Sequence, residues 1–154
     1  MKRSAGFTMT ELVTVIVILG ILAAVALPRM STSEYHAVAF RDSVTSALRY
    51  AQKSATSHRR LVCATFTATT LGLRIANSNP QATCDTSLPL AGGATSVQSG
   101  DTANAIFNPV PAPLFFQPDG RGTSDGAGTT VVSISLAIAG QAPIAVVGAS
   151  GHVQ

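Results

Sequence analysis

A single carboxylate, Glu11, stands at the head of an apolar run. Leu12–Leu27 (LVTVIVILGILAAVAL) carries no charge, and Thr14 is its one strongly polar side chain. A carboxylate taken into hydrocarbon is costly unless a cation and hydrogen bonds compensate it. An ionisable group in such a place therefore marks function. Just upstream lie a Gly6-Phe7 junction and two cations, Lys2 and Arg3. The chemistry that these residue types support at this spacing is charge pairing, an acid in an apolar setting that needs a positive partner.

The other reactive side chains form no catalytic pattern. His36, His58 and His152 have no cysteine or carboxylate at metal-ligand or catalytic-triad spacing. Ser150-Gly151-His152 lacks the strand-turn-helix setting of a nucleophile elbow. Asp119–Gly126 (DGRGTSDG) lacks the alternating acids and the distal Glu of an EF-hand, and reads as a flexible turn. No catalytic residue, metal site or cofactor is expected, and the chain is not expected to be an enzyme.

The element that must position Glu11 is a helix. Phe7 to Leu27 is 21 residues, about 31 Å of helix, close to the hydrocarbon thickness of a bilayer. Lys2 and Arg3 hold the short N-terminal side in the cytoplasm by the positive-inside rule, which sends the residues from about Arg29 onward to the other side. Two plainer readings remain open, a cleaved secretory signal with Ala23-Ala24-Val25-Ala26 as its small-residue site, and a simple anchor. Neither has a use for Glu11. Gly20 and Pro28 bracket a weak stretch: Pro28 cannot donate to the carbonyl of Ala24, and Gly20 costs about 1 kcal/mol relative to Ala. They mark either a kink at the membrane exit or a segment able to melt.

The octapeptide Gly6-Phe7-Thr8-Met9-Thr10-Glu11-Leu12-Val13 resembles the prepilin processing motif of type IV pilins and type II secretion pseudopilins. Met9-Thr10 stands where Leu-Ile is more common. The resemblance implies that a prepilin peptidase cuts after Gly6 and N-methylates Phe7. It also implies that Glu11, the fifth mature residue, faces the terminal amine of a neighbouring subunit as the helices bundle into a filament core. Members of the family carry a glycine and a proline matching Gly20 and Pro28, and the stretch between them can melt on assembly.

The rest of the chain is bounded by composition. The 154 residues carry a formal charge of +3, falling to +1 in side chains once Lys2 and Arg3 are removed, so composition gives no case for nucleic acid binding. Cys63 and Cys84 are the only cysteines. On the orientation above both face the periplasm, where a disulfide persists, and one connectivity exists.

Glu34–Ser57 reads as a helix, with Phe40, Val44, Leu48, Ala51 and Ala55 forming one apolar stripe. Arg41, Asp42, Arg49, Gln52 and Lys53 fall elsewhere on the wheel, and 30–33 reads as a brief interruption before the helix. The cluster Lys53, His58, Arg59, Arg60 reads as a solvated helix end. Beyond it, 61–67 and 73–76 suggest a hairpin around 68–72, and 77–113 is mostly loop or short edge strand. A short strand at 114–117 ends in Pro118-Asp119-Gly120, 131–138 is the clearest strand, and 144–147 with 152–153 form a terminal pair.

This layout resembles the H-type pseudopilins and FimT-like minor pilins, with a particular likeness to the minor pilins of mannose-sensitive-haemagglutinin-type pili. The likeness is carried by 39–55, by Phe115-Phe116-Gln117-Pro118-Asp119-Gly120-Arg121-Gly122 and by the closing 147–154. Some FimT-like relatives bind DNA through arginines near the C-terminus. Here the matching Gly151-His152-Val153-Gln154 has none.

The expected fold is α+β and pilin-like: a long transmembrane helix continuing into a periplasmic helix packed on an antiparallel β-rich domain. The expected segments are a leader (1–6), a transmembrane or filament-core helix (7–28), an amphipathic periplasmic helix (29–58) and a β-rich head (59–154). The resemblance implies a minor pilin or pseudopilin in the inner membrane, single-pass with a periplasmic C-terminal domain, and later in a filament. Its implied partners are other pilins, prepilin peptidase, the inner-membrane assembly platform and membrane lipid; nucleic acid is not expected. The alternative is a tip-located binding module for DNA uptake or adhesion.

Overall fold

The computed structural model describes residues 7–26 and 32–154. Gly6, Pro28, the leader and residues 30 and 31 of the expected interruption lie outside the described residues. The chain divides at Thr32/Ser33 into two units, taken separately below.

In the first unit, α1 runs Met9–Ala26. From Leu12 to Leu22 its Val, Ile and Leu side chains are exposed on every face, with Leu12 at 56% and Leu22 at 60%. Among the described residues no helix is long and apolar enough to cross a membrane. The 18 residues of α1 span about 27 Å, and the uncharged part after Glu11 about 22 Å, against a hydrocarbon core of about 30 Å. The expected span, 7–28, takes in residues 27 and 28, outside the described residues.

The second unit is built on α2 (Thr32–His58). Thr32 and Ser33, expected in the interruption, are already helical. Phe40, Val44, Leu48, Ala51 and Ala55 are all buried, joined by Ala37 and Ala47. The helix ends on Arg59, which takes the left-handed φ of 52°, and the Arg60 N–H donates to the Ala55 carbonyl at 3.1 Å. This is a Schellman-type stop made without glycine.

All strands are antiparallel. The first sheet holds β1 (Val62–Phe66), β2 (Thr70–Ile75), β3 (Thr86–Ser87), β4 (Ser96–Gln98), β5 (Leu114–Phe116) and β6 (Gly122–Thr123), in the order β3-β2-β1-β5-β6 with β4 also on β2. The β1–β2 turn is tighter than the expected 68–72 loop. Thr67 and Thr70 close it with a backbone bond of 2.9 Å and a hydroxyl pair at 2.7 Å, so Leu71 and Gly72 are already in β2. β5 is short because Pro113, with no N–H, stops it from starting earlier. Gln117, expected in this strand, leaves it and buries its amide.

The second sheet is β7 (Ile134–Leu136), β8 (Ile144–Val147) and β9 (His152–Val153). The expected strand at 131–138 is therefore shortened. Its ends bridge elsewhere, Val131 to Thr123 and Ile138 to Phe107. The two sheets meet where Gly122 N–H donates to the Gly148 carbonyl (2.7 Å) and Val132 N–H to that of Gly122 (3.0 Å). A Cβ on Gly148 would overlap the Val132 carbonyl.

The α2 stripe packs in one core with Val62, Ala64, Leu71, Leu73, Leu114 and Phe116 of the first sheet and Leu136, Ile144, Val146 and Val153 of the second. Phe107 stacks edge-on between Phe40 and Phe66, with ring centroids at 5.2 and 5.4 Å. Three side chains flanking the stripe seat the terminal sheet. Arg41 donates to the Ala142 carbonyl (2.9 Å), Arg49 to that of Val153 (3.1 Å) and Gln52 to that of Ser150 (3.1 Å).

On the other face of the first sheet, Leu61, Cys63 and Ala76 form a small cluster with Cys84 and Phe115. The expected disulfide, Cys63–Cys84, closes it with Cα atoms 6.1 Å apart. Replacing both cysteines by alanine is expected to lower unfolding free energy by about 3 kcal/mol, read from denaturant midpoints of the full chain in detergent, with segment 77–85 cut first in limited proteolysis.

The expected flexible turn at 119–126 is instead heavily bonded. Buried Gln117 donates to Thr123 Oγ1 at 2.8 Å. The Asp125 carboxylate accepts from the N–H groups of Thr129 (3.0 Å) and Thr130 (2.9 Å) and from the Thr129 hydroxyl. These donors, the Thr129 N–H foremost, hold the Asp125 carboxyl below its ordinary range. A carboxyl depressed in the folded state stabilises above its unfolded pKa of about 3.9 and loses that contribution as pH falls through the folded value. Asp125→Asn is expected to lower Tm at pH 7 and to flatten the fall of Tm below about pH 4, measured by thermal melts across pH.

Candidate functional site

Glu11 is the feature that sequence and structure both single out. It occupies the first turn of α1, and its carboxylate turns back on the helix start. Glu11 Oε2 accepts from the Thr8 N–H (3.0 Å) and from the Thr8 hydroxyl (2.9 Å), while the Glu11 N–H donates to Thr8 Oγ1 (3.2 Å). This is a capping box, with Thr8 as N-cap and Glu11 as the third helical residue, which satisfies two orphan helix donors reciprocally. Reading Glu11 only as a charge missed this role, although Thr8-Met9-Thr10-Glu11 carries the S/T-x-x-E signature.

Both Thr8 bonds fall on Oε2, so the capping box leaves Oε1 to another donor. The local field suits an anion, because the helix N-terminus carries the positive end of the α1 dipole. Phe7, just ahead of the cap, is 83% exposed. Thr14 returns its hydroxyl to the carbonyls of Thr10 (3.0 Å) and Glu11 (2.9 Å). The one polar side chain of the run is thereby internally satisfied. α1 runs unbroken through Gly20, where an added Cβ would meet nothing within 4 Å.

The other candidate residues do not converge here. Cys63 and Cys84 are joined in the second unit. His36 packs on Gly100, whose added Cβ would lie 2.7 Å from His36 Nδ1, while His58 and His152 are exposed. Among the described residues no three His, Cys, Asp or Glu side chains are gathered to hold a metal. Lys53, His58, Arg59 and Arg60 are exposed around the end of α2.

Residues 1–27 match the family model described as the prokaryotic N-terminal methylation motif. The match takes in Gly6, Phe7 and Glu11 and supports a type IV pilin-like protein whose N-terminus is processed and, in general, membrane-anchored. No curated protein and no solved structure is significantly similar to the chain.

Thr8→Ala removes the cap while leaving Glu11 in place. Loss of an N-cap costs about 1 kcal/mol, so amide exchange in the first turn of α1 is expected to quicken roughly fivefold, with Thr8→Ser close to the parent. Hydrogen exchange followed by NMR of the full chain in micelles reads this directly.

Proposed function

We propose that the chain is a minor pilin or pseudopilin, a structural and assembly subunit of a type IV pilus-like filament or a type II secretion pseudopilus. The observation that carries this reading is the position of Glu11, a carboxylate in the first turn of a helix exposed on every face, inside a match to the methylation motif.

On this reading the precursor enters the inner membrane once, with Lys2 and Arg3 in the cytoplasm and the head in the periplasm. Prepilin peptidase cuts between Gly6 and Phe7 and methylates the new Phe7 amine. Gly20 and Pro28 mark the stretch that yields on assembly. α1, apolar on every face beyond its first turn apart from Thr14, passes from lipid into a bundle of other pilins at the assembly platform, a move that exchanges one apolar surrounding for another. In that bundle the Glu11 carboxylate meets the methylated amine of a neighbour while Thr8 still holds one of its oxygens. Breaking a buried pair by removing one partner costs about 3–5 kcal/mol, which is large enough to decide docking and register. Support for the H-type or FimT-like subgroup comes from the order of elements: one amphipathic helix, then a β-rich head closed by the β8–β9 hairpin.

A second reading, a binding head at a filament tip, has one observation in its favour. A groove of about 680 Å³ runs between α2 and the 89–98 excursion, lined by Ser43, Ser46, Tyr50, Leu90, Val97 and Gln98 among others. The lining is uncharged, so the groove does not suit nucleic acid, whose binding rests on phosphate contacts to Lys and Arg.

Mass spectrometry of the protein from its native host is expected to find a mature chain beginning at N-methylated Phe7. An intact Met1 or trimming near Ala26 would defeat the reading. Glu11→Ala and Glu11→Gln are expected to be processed normally yet be largely lost from filaments, scored by copurification with the major pilin. Incorporation at parental levels would remove the role given to Glu11, and retention of DNA at moderate salt would favour the binding head.

A further inference from the structure

The two edges of the first sheet are finished differently. At the β6 edge Thr123 bridges Val131, and the Val132 N–H donates to the Gly122 carbonyl. At the other edge β3 and β4 both pair with β2. The pairing pattern fixes which groups of β4 face outward. Ser99 N–H donates to the Thr69 carbonyl at 2.9 Å, and the register sets Gln98 opposite Thr70, Val97 opposite Leu71 and Ser96 opposite Gly72. Bonded and non-bonded pairs alternate along an antiparallel ladder. Val97 is therefore bonded to Leu71, while the N–H and C=O of Ser96 and Gln98 point away from the sheet. Among the described residues those outward groups have no partner. β4 (SVQ) also carries none of the charges or prolines that guard an exposed edge.

This edge borders the groove of about 680 Å³ beside α2. Ser96, Val97 and Gln98 all line it. Side chains alternate across a strand, so a cavity that meets three consecutive residues meets the strand's edge rather than one of its faces. The opposite wall is Ser43, Ser46, Ala47 and Tyr50, a row at the i, i+3, i+4 and i+7 positions of α2. Each wall is about 10 Å long. Ser43 and Ser46 are exposed and small, which leaves room beside the edge. Just past β4, Gly100 rests against His36, so strand and helix are in contact at that end. No charged side chain lines the groove.

We propose that β4 is a receiving edge, and that the groove takes an extended, uncharged peptide segment of a partner protein, added as one more strand between β4 and α2. Strand addition draws its affinity from main-chain bonds and its specificity from alternate side chains. A helix would not serve, because its backbone groups are bonded internally and would leave Ser96 and Gln98 unanswered. A charged residue would lose water without meeting a counter-charge. The alternation follows from the pairing. Residues opposite each other on a ladder put their side chains on the same face, and Val97 packs on the core beneath α2. The segment's residue opposite Val97 thus turns toward Ala47 and is apolar. Its residues opposite Ser96 and Gln98 face away, are small and polar, and supply the N–H groups that bond β4. This goes beyond the filament reading and does not depend on processing at Phe7.

The test uses the full-length, isotopically labelled chain in detergent micelles and the blocked peptide acetyl-Thr-Val-Thr-Val-Thr-amide. Added peptide is expected to slow amide hydrogen exchange at Ser96 and Gln98 and to leave Val97, already bonded to Leu71, unchanged. N-methylation of the central threonine removes a bond to β4 and is expected to weaken binding about tenfold, while N-methylation of a valine, whose N–H faces the other way, is tolerated. Lysine in place of a valine is expected to weaken binding at least as much. On the protein side Gln98→Pro deletes one outward N–H that makes no ladder bond, a change that edge strands accommodate. It is expected to weaken binding about tenfold, with Gln98→Ala close to the parent. If Gln98→Pro does not fold, the N-methyl series on the parent chain decides alone. Equal effects of the two N-methylations, or binding without protection at Ser96 and Gln98, overturns the proposal. Protection that grows with chain concentration in the absence of peptide also overturns it, since the edge would then belong to a second copy. The expected pattern together with an unprocessed N-terminus in the native host would leave the groove's assignment standing and sink the filament reading alone.

Discussion

Burial of one face of α2 is the interaction on which the head depends. Among the described residues of this unit neither sheet has another layer to pack on, and their strands run from 2 to 6 residues. Small sheets of this kind are not stable without a partner surface. The stripe from Phe40 to Ala55 supplies that surface to both sheets at once. Alanines at 37, 47, 51 and 55 lie in the same core, where Phe107 meets Phe40 and Phe66 edge-on. The sheets need no long strands because each is completed by the same helix.

A second constraint governs the other unit, where an acid in an apolar helix has to be satisfied by some donor. The capping box answers it locally, with Thr8 on one carboxylate oxygen. Under the proposed reading a neighbour's amine answers it a second time. The two answers are compatible, because a carboxylate has room for several donors. On that reading one residue both begins its own helix and registers a neighbour, which couples local folding to assembly.

How far the sequence revealed this structure depended on the range of the interactions. The α2 stripe was legible because a 3.6-residue period exposes it, and the disulfide because a chain with two cysteines offers one pairing. The terminal hairpin was legible from Ile144–Val147 and His152–Val153 around Gly151. The stop at Arg59 was not, since left-handed caps are sought at glycine or asparagine. The Thr67–Thr70 turn was hidden because hydroxyls, rather than Gly72, close it. The alternation over 131–138 indicated which side chains face inward, but not that Val131 and Ile138 pair with different partners. Of the candidate site, Glu11 was found by its charge and its capping role overlooked. The bonds of Arg41, Arg49 and Gln52 were invisible because their acceptors lie about a hundred residues away.

Those three bonds share a property that reaches beyond stability. Each ends on a main-chain oxygen, of Ala142, Val153 or Ser150, and a peptide oxygen is present whatever side chain its residue bears. The seat of the last hairpin is therefore blind to the identity of the residues it displays. Lineages can rewrite the outward-facing positions of that hairpin, His152 and Ala149 among them, without renegotiating the helix beneath. Such a surface is free to diversify under selection while its mounting stays constant.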